Sequence, residues 1–221
     1  MALIVYGTTL SPFVRKVCVL LQEKGLAYEL EQVSPISPPP DYEQISPLKR
    51  IPGFRDTSLP EPNGLADSTV ICDYLETKYP EPALYPKDAY QRARALWFEE
   101  YADTILGACI TRGLFFERVV KKLRRLEADE MVCRKTIDVD LPPVFDYLER
   151  ELGDKPFYVG DSFSIADISV GTMLANFGHL EAFEDKRWPR LGGFGHRVLA
   201  RPSFAGLIER EVPFLKRILA A

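Results

Sequence analysis

The spacing of apolar residues changes character at one place, Tyr79-Pro80-Glu81-Pro82-Ala83-Leu84-Tyr85-Pro86, and that change constrains the fold more than anything else in the chain. Before this stretch, short apolar runs of strand length alternate with helical spacings. After it, only helical spacings remain. A segment so rich in proline cannot continue a helix or sit inside a sheet, so it reads as a stiff linker between two structures. The chain has 221 residues, which at about 150 residues per domain leaves one domain or two open. The change of pattern favours two: residues 1–79, a linker at 80–86, and residues 87–221.

In the first part, Leu3-Ile-Val-Tyr6 is a continuous apolar run bounded by Gly7, as in a strand covered on both faces. Pro12 stands where a first helical residue tolerates proline. Val14, Val17, Cys18 and Leu21 then recur on one helical face, and Gly25 closes the helix. Tyr28 and Leu30 alternate with Glu29 and Glu31, which predicts a strand with one buried face. The opening is therefore β-α-β, with parallel strands and a right-handed crossover. Ser34 to Pro40 holds too many breakers for regular helix. Phe54-Arg55-Asp56 and Leu65-Ala66 read as two short strands around a turn-rich loop at 57–64. Asp67-Ser68 then caps a helix with the apolar stripe Val70, Ile71, Tyr74 and Leu75. The sum is one small α/β layer structure.

In the second part, Ala93, Leu96, Trp97, Tyr101, Ile105, Ala108 and Cys109 predict one unusually long helix from Tyr90 to about Lys122. Further helices are expected near 125–152, kinked or split at Pro142-Pro143, and at 164–179, 190–200 and 203–211. This part is all-α.

Composition excludes several classes. With 46% apolar residues and a net charge of −4, the chain is neither disordered nor a general nucleic-acid binder. Its one basic cluster, Arg118, Lys121, Lys122, Arg124 and Arg125, lacks interleaved aromatics and reads as a solvated helix end. No apolar run approaches the ~20 residues of a membrane span, and Met-Ala-Leu-Ile-Val-Tyr-Gly lacks the charged start of a signal peptide. Cys18, Cys72, Cys109 and Cys133 are scattered, with no C-x-x-C pair and no nearby histidine. They read as inert thiols of a reduced, cytoplasmic protein, and no metal site is expected. His179 and His196 show no partner in sequence. No phosphate-binding loop, dinucleotide fingerprint or nucleophile elbow is present.

Four places could carry chemistry. Ser11, at the mouth of the first helix, puts a hydroxyl beside unpaired backbone N–H groups and the positive end of the helix dipole. That setting suits a thiolate, whose pKa falls by two units for about 2.7 kcal/mol of differential interaction. A plain helix cap is the competing reading. Ile51-Pro52 precedes a strand and is either an ordinary proline or a cis one. Asp67 and Ser68 offer a carboxylate, a hydroxyl and helix N–H groups to a zwitterion, or simply cap their helix. Ser164-Ile-Ala-Asp167 has the spacing of a capping box and is structural.

In order, these motifs resemble the cytosolic glutathione transferases: a thioredoxin-like domain with Ser-Pro at the first helix, Arg-Ile-Pro before the third strand and Asp-Ser at the third helix, then an all-helical domain. Phe157 to Asp167, Trp188-Pro189 and Arg201-Pro202-Ser203 match the family's capping segment and closing helices, so the resemblance covers essentially the whole chain. It implies a serine-type enzyme that ionises bound glutathione for attack on a small apolar electrophile. An isomerase or peroxidase using the same thiol, or a non-catalytic glutathione-binding protein, are the alternatives. The resemblance gives Ser11 the catalytic role, with Tyr6 and then Thr9 as rivals. It gives Ile51 and a cis Pro52 the cysteinyl backbone, Asp67 and Ser68 the γ-glutamyl end, and Arg50 the glycyl carboxylate. Phe13, Tyr101, Ile105 and Cys109 are expected to line an acceptor pocket between the domains, and the assembly is expected to be a homodimer active in detoxification. Three departures stand out: Asp67 replaces the commoner Glu, the prolines of 35–40 replace a basic residue at the glycyl end, and the loop 57–64 is long.

Overall fold

The computed structural model describes residues 2–183 and 186–220, and the chain divides into two units, Met1–Tyr85 and Pro86–Ala221. In the first, a four-stranded sheet runs in the order β2-β1-β3-β4. β1 (Leu3–Tyr6) pairs parallel with β2 (Glu29–Glu31) across the crossover helix α1 (Pro12–Glu23). β3 (Gly53–Asp56) runs antiparallel to β1, and β4 (Gly64–Ala66) antiparallel to β3. Helix α2 (Ser68–Lys78) follows. Between β2 and β3 the proline-rich stretch yields one short 3₁₀ turn, Pro40–Gln44.

Alternation along the strands gives the sheet two faces. Val5 and its partner Phe54 lie on the side of α1 and α2, where both are fully buried and Phe54 meets Tyr74 of α2 at 5.9 Å between ring centres. Tyr6 lies on the other face, against Tyr42 at 6.3 Å. In α2 the buried stripe is Ile71, Cys72 and Leu75; Val70, expected in it, is exposed, because the buried face runs through Ser68, Ile71, Cys72, Leu75 and Glu76.

The proline-rich stretch is fastened to the first unit by a buried ion pair. Lys24, which follows α1 at its C-terminal cap, meets Glu76 of α2 at 2.7 Å and donates to the carbonyls of Tyr79 and Pro82; Glu76 accepts from the N–H groups of Leu84 and Tyr85.

The second unit's regular elements are all helices among the described residues. A long run begins as α3 (Ala89–Tyr101), widens into i→i+5 turns at Ala102–Leu106 and Ala108–Val120, and ends as α4 (Lys121–Leu123). Its buried stripe is Ala95, Phe98, Ala102, Leu106 and Ile110. The stripe expected from spacing lies on the opposite side, where Leu96, Trp97 and Ile105 are exposed. Both sides of this helix are apolar, so spacing alone could not choose between them.

α5 (Glu130–Lys135) and α6 (Leu141–Leu152) are joined by a wide turn, Thr136–Asp140, directly before Pro142-Pro143, which lack the N–H groups a continuous helix needs. α7 (Ile165–Gly178) is the buried axis of the unit. α8 (Pro189–Leu199) and α9 (Pro202–Ala220) close it. α9 extends well beyond the expected end at 211 because it accommodates Pro213 in its interior. His179 also departs from expectation: its Nε2 lies 2.8 Å from Glu211 Oε2, tying the end of α7 to α9. Both groups are buried, and 32 residues of sequence separate them.

Candidate functional site

Sheet pairing brings three separate segments to one end of the first unit. Tyr6, the last residue of β1, stands opposite Gly53 at the start of β3, and Gly53 stands opposite Ala66 at the end of β4. The loop 7–11, the Ile51-Pro52 dipeptide and Asp67-Ser68 therefore leave the sheet together. Gly7 makes the approach possible. Its φ is +150°, and a Cβ there would lie 2.6 Å from Val14 Cγ2 and 3.2 Å from Ile51 Cβ.

Ser11 is the N-cap residue of α1. Its carbonyl accepts from the Arg15 N–H at 2.9 Å, but its hydroxyl makes no capping bond and has no partner among the described residues. Pro12 fills the first helical position and no acidic residue stands in the first turn, so the positive end of the helix dipole is not neutralised locally. Thr9 and Phe13 flank it, both half-buried. The rival Tyr6 lies beneath Tyr42, on the sheet face away from α1, and burial together with Glu31 raises its hydroxyl above the ordinary range.

The Ile51–Pro52 bond is cis. Arg50, just before it, has its backbone fixed and its side chain exposed. The Arg50 carbonyl accepts from the Tyr42 hydroxyl at 2.9 Å and from the Ser46 hydroxyl at 2.8 Å, while the guanidinium makes no ion pair among the described residues. Burial pushes the Tyr42 hydroxyl up to about 12, so it stays a donor.

Asp67 has φ +77° and caps α2, its Oδ1 accepting from the N–H groups of Thr69 at 2.9 Å and Val70 at 3.4 Å. Ser68 is buried, and its hydroxyl has no partner among the described residues. Sequence reading missed Lys16, which is fully buried and donates to Thr69 Oγ1 at 3.2 Å, holding the start of α2 against α1. The signal was present: a lysine adjoining the apolar stripe of a buried helix needs a polar partner.

The acceptor candidates divide between the units. Phe13 belongs to the first. In the second, Tyr101 packs against Tyr147 with ring centres 4.7 Å apart and lies 6.0 Å from Trp97, whose indole donates to the Tyr147 hydroxyl at 2.6 Å. Ile105 is exposed and Cys109 half-buried along the same side of the long helix. Burial pushes the Tyr101 hydroxyl up to about 12 and raises the Cys109 thiol, which keeps that cysteine protonated and un-nucleophilic. Cys18, Cys72 and Cys133 are buried, none of the four is in a disulfide, and no cluster of metal-ligating side chains occurs among the described residues.

The model of the glutathione S-transferase N-terminal domain matches residues 5–83, and that of the C-terminal domain matches residues 133–194, together well over half of the chain. The chain belongs to the glutathione transferase family. This is an enzyme family whose co-substrate is glutathione, and the sheet and helices above have its two-part fold. The transferase is 27% identical to a glutathione S-transferase of Triticum aestivum, over 95% of this chain and 94% of that one. It is 28% identical to a maleylacetoacetate isomerase of Pseudomonas aeruginosa, over 86% and 87% of the two chains. Among solved structures it resembles a glutathione S-transferase of Methylobacterium radiotolerans in complex with glutathione sulfonate, at 28% identity, TM-score 0.76, and coverage of 94% and 95%. No described helix of this transferase is long and apolar enough to cross a membrane.

Proposed function

We propose that this transferase conjugates glutathione to small apolar electrophiles, with Ser11 stabilising the ionised thiol. The observation that carries this reading is the Ser11 hydroxyl, placed at an unneutralised helix N-terminus and without a partner among the described residues. A capping serine would have spent that hydroxyl on a backbone N–H. Bound glutathione supplies the nucleophilic sulfur; the protein supplies the field around it. Ser11 donates to the sulfur, and the α1 dipole lowers the cost of negative charge there. The backbone of Ile51, preset by Pro52, pairs with the cysteinyl unit. Asp67 receives the γ-glutamyl ammonium, Ser68 and the first N–H groups of α2 its carboxylate, and Arg50 the glycyl carboxylate. These groups suit a tripeptide with one cation and two anions, since Ser11, Ser68 and Arg50 all have donors to spare.

Phe13 gives the thiol an apolar flank, and the Tyr101, Ile105 and Cys109 side of the long helix is the proposed acceptor surface. The proposed assembly is a cytoplasmic homodimer, as the family resemblance implies. A second reading, isomerisation through the same thiolate, is favoured by the similarity to the isomerase of Pseudomonas aeruginosa. Titrating glutathione into the protein while following thiolate absorbance in the ultraviolet tests both. Thiolate formation in the wild type and its loss in Ser11→Ala is the expected result, whereas binding without thiolate leaves only a carrier role. Assay of the same sample with an aryl halide and with a cis-dienoic acid then separates transfer from isomerisation.

A further inference from the structure

The turn between the long helix and α5 carries a feature that glutathione chemistry does not use. Leu123, Leu126, Met131 and Val132 are exposed there, Met131 at 80% and Leu126 at 54%. Residues 118–135 hold seven Lys or Arg against three Asp or Glu, in a chain whose net charge is −4. Some of these cations are committed. Arg118 pairs with Glu181 and Glu130, Lys121 with Glu117 at 2.6 Å, and Lys135 with Asp140 at 2.6 Å. Four are not neutralised. Lys122 donates to the Leu219 carbonyl, Arg124 lies over the Phe116 ring, and Arg125 and Arg134 have no ion pair among the described residues. The Lys122 bond also brings the last turn of α9, with Arg217, to the same end of the unit.

The turn is held in shape. Glu117 accepts from the Asp129 N–H at 2.7 Å, Asp129 caps α5, and the Leu126 N–H bonds the Lys121 carbonyl at 2.8 Å. Leu126 and Met131 are thus presented outward by a fixed backbone. A protein partner would need on the order of 800 Å² of complementary surface with a buried, aromatic-rich centre. A few aliphatic side chains on a helix-joining turn do not provide that. A bilayer asks less: aliphatic side chains to enter the headgroup region and cations to lie against phosphates. We propose that this turn docks the protein on anionic lipid surfaces through Leu126 and Met131, with Lys122, Arg124, Arg125 and Arg134 facing the lipid phosphates.

Flotation of the full chain with phosphatidylcholine vesicles, with and without about one-fifth phosphatidylserine, tests this. The expected result is roughly tenfold greater recovery with the anionic vesicles, falling as salt is raised. The pair Leu126→Glu and Met131→Glu should abolish recovery, and Arg125→Glu with Arg134→Glu should remove the preference for anionic lipid. All four positions are exposed, so both variants should keep the wild-type melting temperature and glutathione-dependent turnover. No recovery with anionic vesicles, as an acidic protein partner for this turn would predict, overturns the proposal. So does equal recovery with neutral vesicles, or undiminished recovery of both variants. Loss of the glutathione reading would leave these outcomes unaffected.

Discussion

Helices α1 and α7 both start at a serine, and the two serines are used in opposite ways. Ser164 is closed into a capping box: Asp167 accepts from the Ser164 N–H at 2.9 Å and from its hydroxyl at 3.0 Å, while the other carboxylate oxygen accepts from the Tyr158 N–H at 2.9 Å. Ser11 has the same position at its helix and makes no side-chain bond among the described residues. In the second unit the cap is consumed by the fold. In the first the hydroxyl is left unused among the described residues, and the helix end above it has neither an acid nor a reciprocal partner. A hydroxyl that stabilises nothing at home is the one available to a ligand.

The largest effect that sharpens this contrast belongs to the closed cap. Asp167→Ala strands two buried N–H donors and should cost on the order of 3–5 kcal/mol, seen as a drop of about 10 °C or more in thermal unfolding. A drop of only a degree or two would break the contrast, since the box would then hold little. Burial pushes the Asp167 carboxyl up from 3.8 to about 6, against the pull of its bonds from Tyr158 and Ser164. Its folded form therefore holds a proton more tightly than its unfolded form. The associated stability is complete below about pH 4 and is lost as pH rises through about 6, on the order of 3 kcal/mol in all. In Asp167→Asn that slope should vanish; a slope that persists in urea titrations assigns it to another group.

The open cap should behave in the reverse manner. Ser11→Ala is expected to lower turnover roughly 100-fold through loss of one donor to the thiolate. Its melting temperature should shift by no more than about 2 °C, because no internal bond is lost. A stability loss comparable to that of Asp167→Ala would make Ser11 a structural cap after all, and unchanged turnover would remove it from the chemistry.

How far the sequence foretold these two ends depends on the range of the interactions. Ser164 and Asp167 are three residues apart, so their box follows from local spacing, as do the strand Leu3–Tyr6 and the helix behind Pro12. The idle state of the Ser11 hydroxyl was not legible, because an N-cap position looks the same whether or not the side chain turns inward. The pairs Lys24–Glu76 and His179–Glu211 were also hidden. Each joins groups that only the tertiary fold brings within hydrogen-bond reach, and neither lies in a recognisable motif. The wrong face chosen for the long helix has another cause. Leu96, Trp97 and Ile105 are more hydrophobic than Ala95 and Ala102, yet close helix packing favours the small side chains. Resemblance supplied the roles proposed for Ile51, Asp67 and Arg50, which no local pattern could.

A smaller effect probes the rim of the open site. Arg50 is exposed, and only its backbone is held by Tyr42 and Ser46, so Arg50→Ala should leave stability within about 0.5 kcal/mol. Loss of a solvent-exposed charge pair to the glycyl carboxylate is worth about 1 kcal/mol, a several-fold rise in the KM for glutathione at unchanged kcat. An unchanged KM would move the glycyl end elsewhere.

The smallest expected effect is the most pointed test of which hydroxyl serves the thiol. Tyr6 ends the strand that leads to Ser11, and by sequence alone the two compete for one role. The sheet separates them: alternation turns Tyr6 onto the face away from α1, against Tyr42, and burial with Glu31 nearby makes its hydroxyl harder to ionise. Its hydroxyl makes no hydrogen bond among the described residues, so Tyr6→Phe removes no internal contact. Turnover should stay within about twofold of wild type and stability within about 0.5 kcal/mol. A loss in Tyr6→Phe as large as that expected of Ser11→Ala would reverse the assignment. It would require the Tyr6 ring to leave Tyr42 when glutathione binds, and thiolate absorbance in that variant would show which hydroxyl holds the charge.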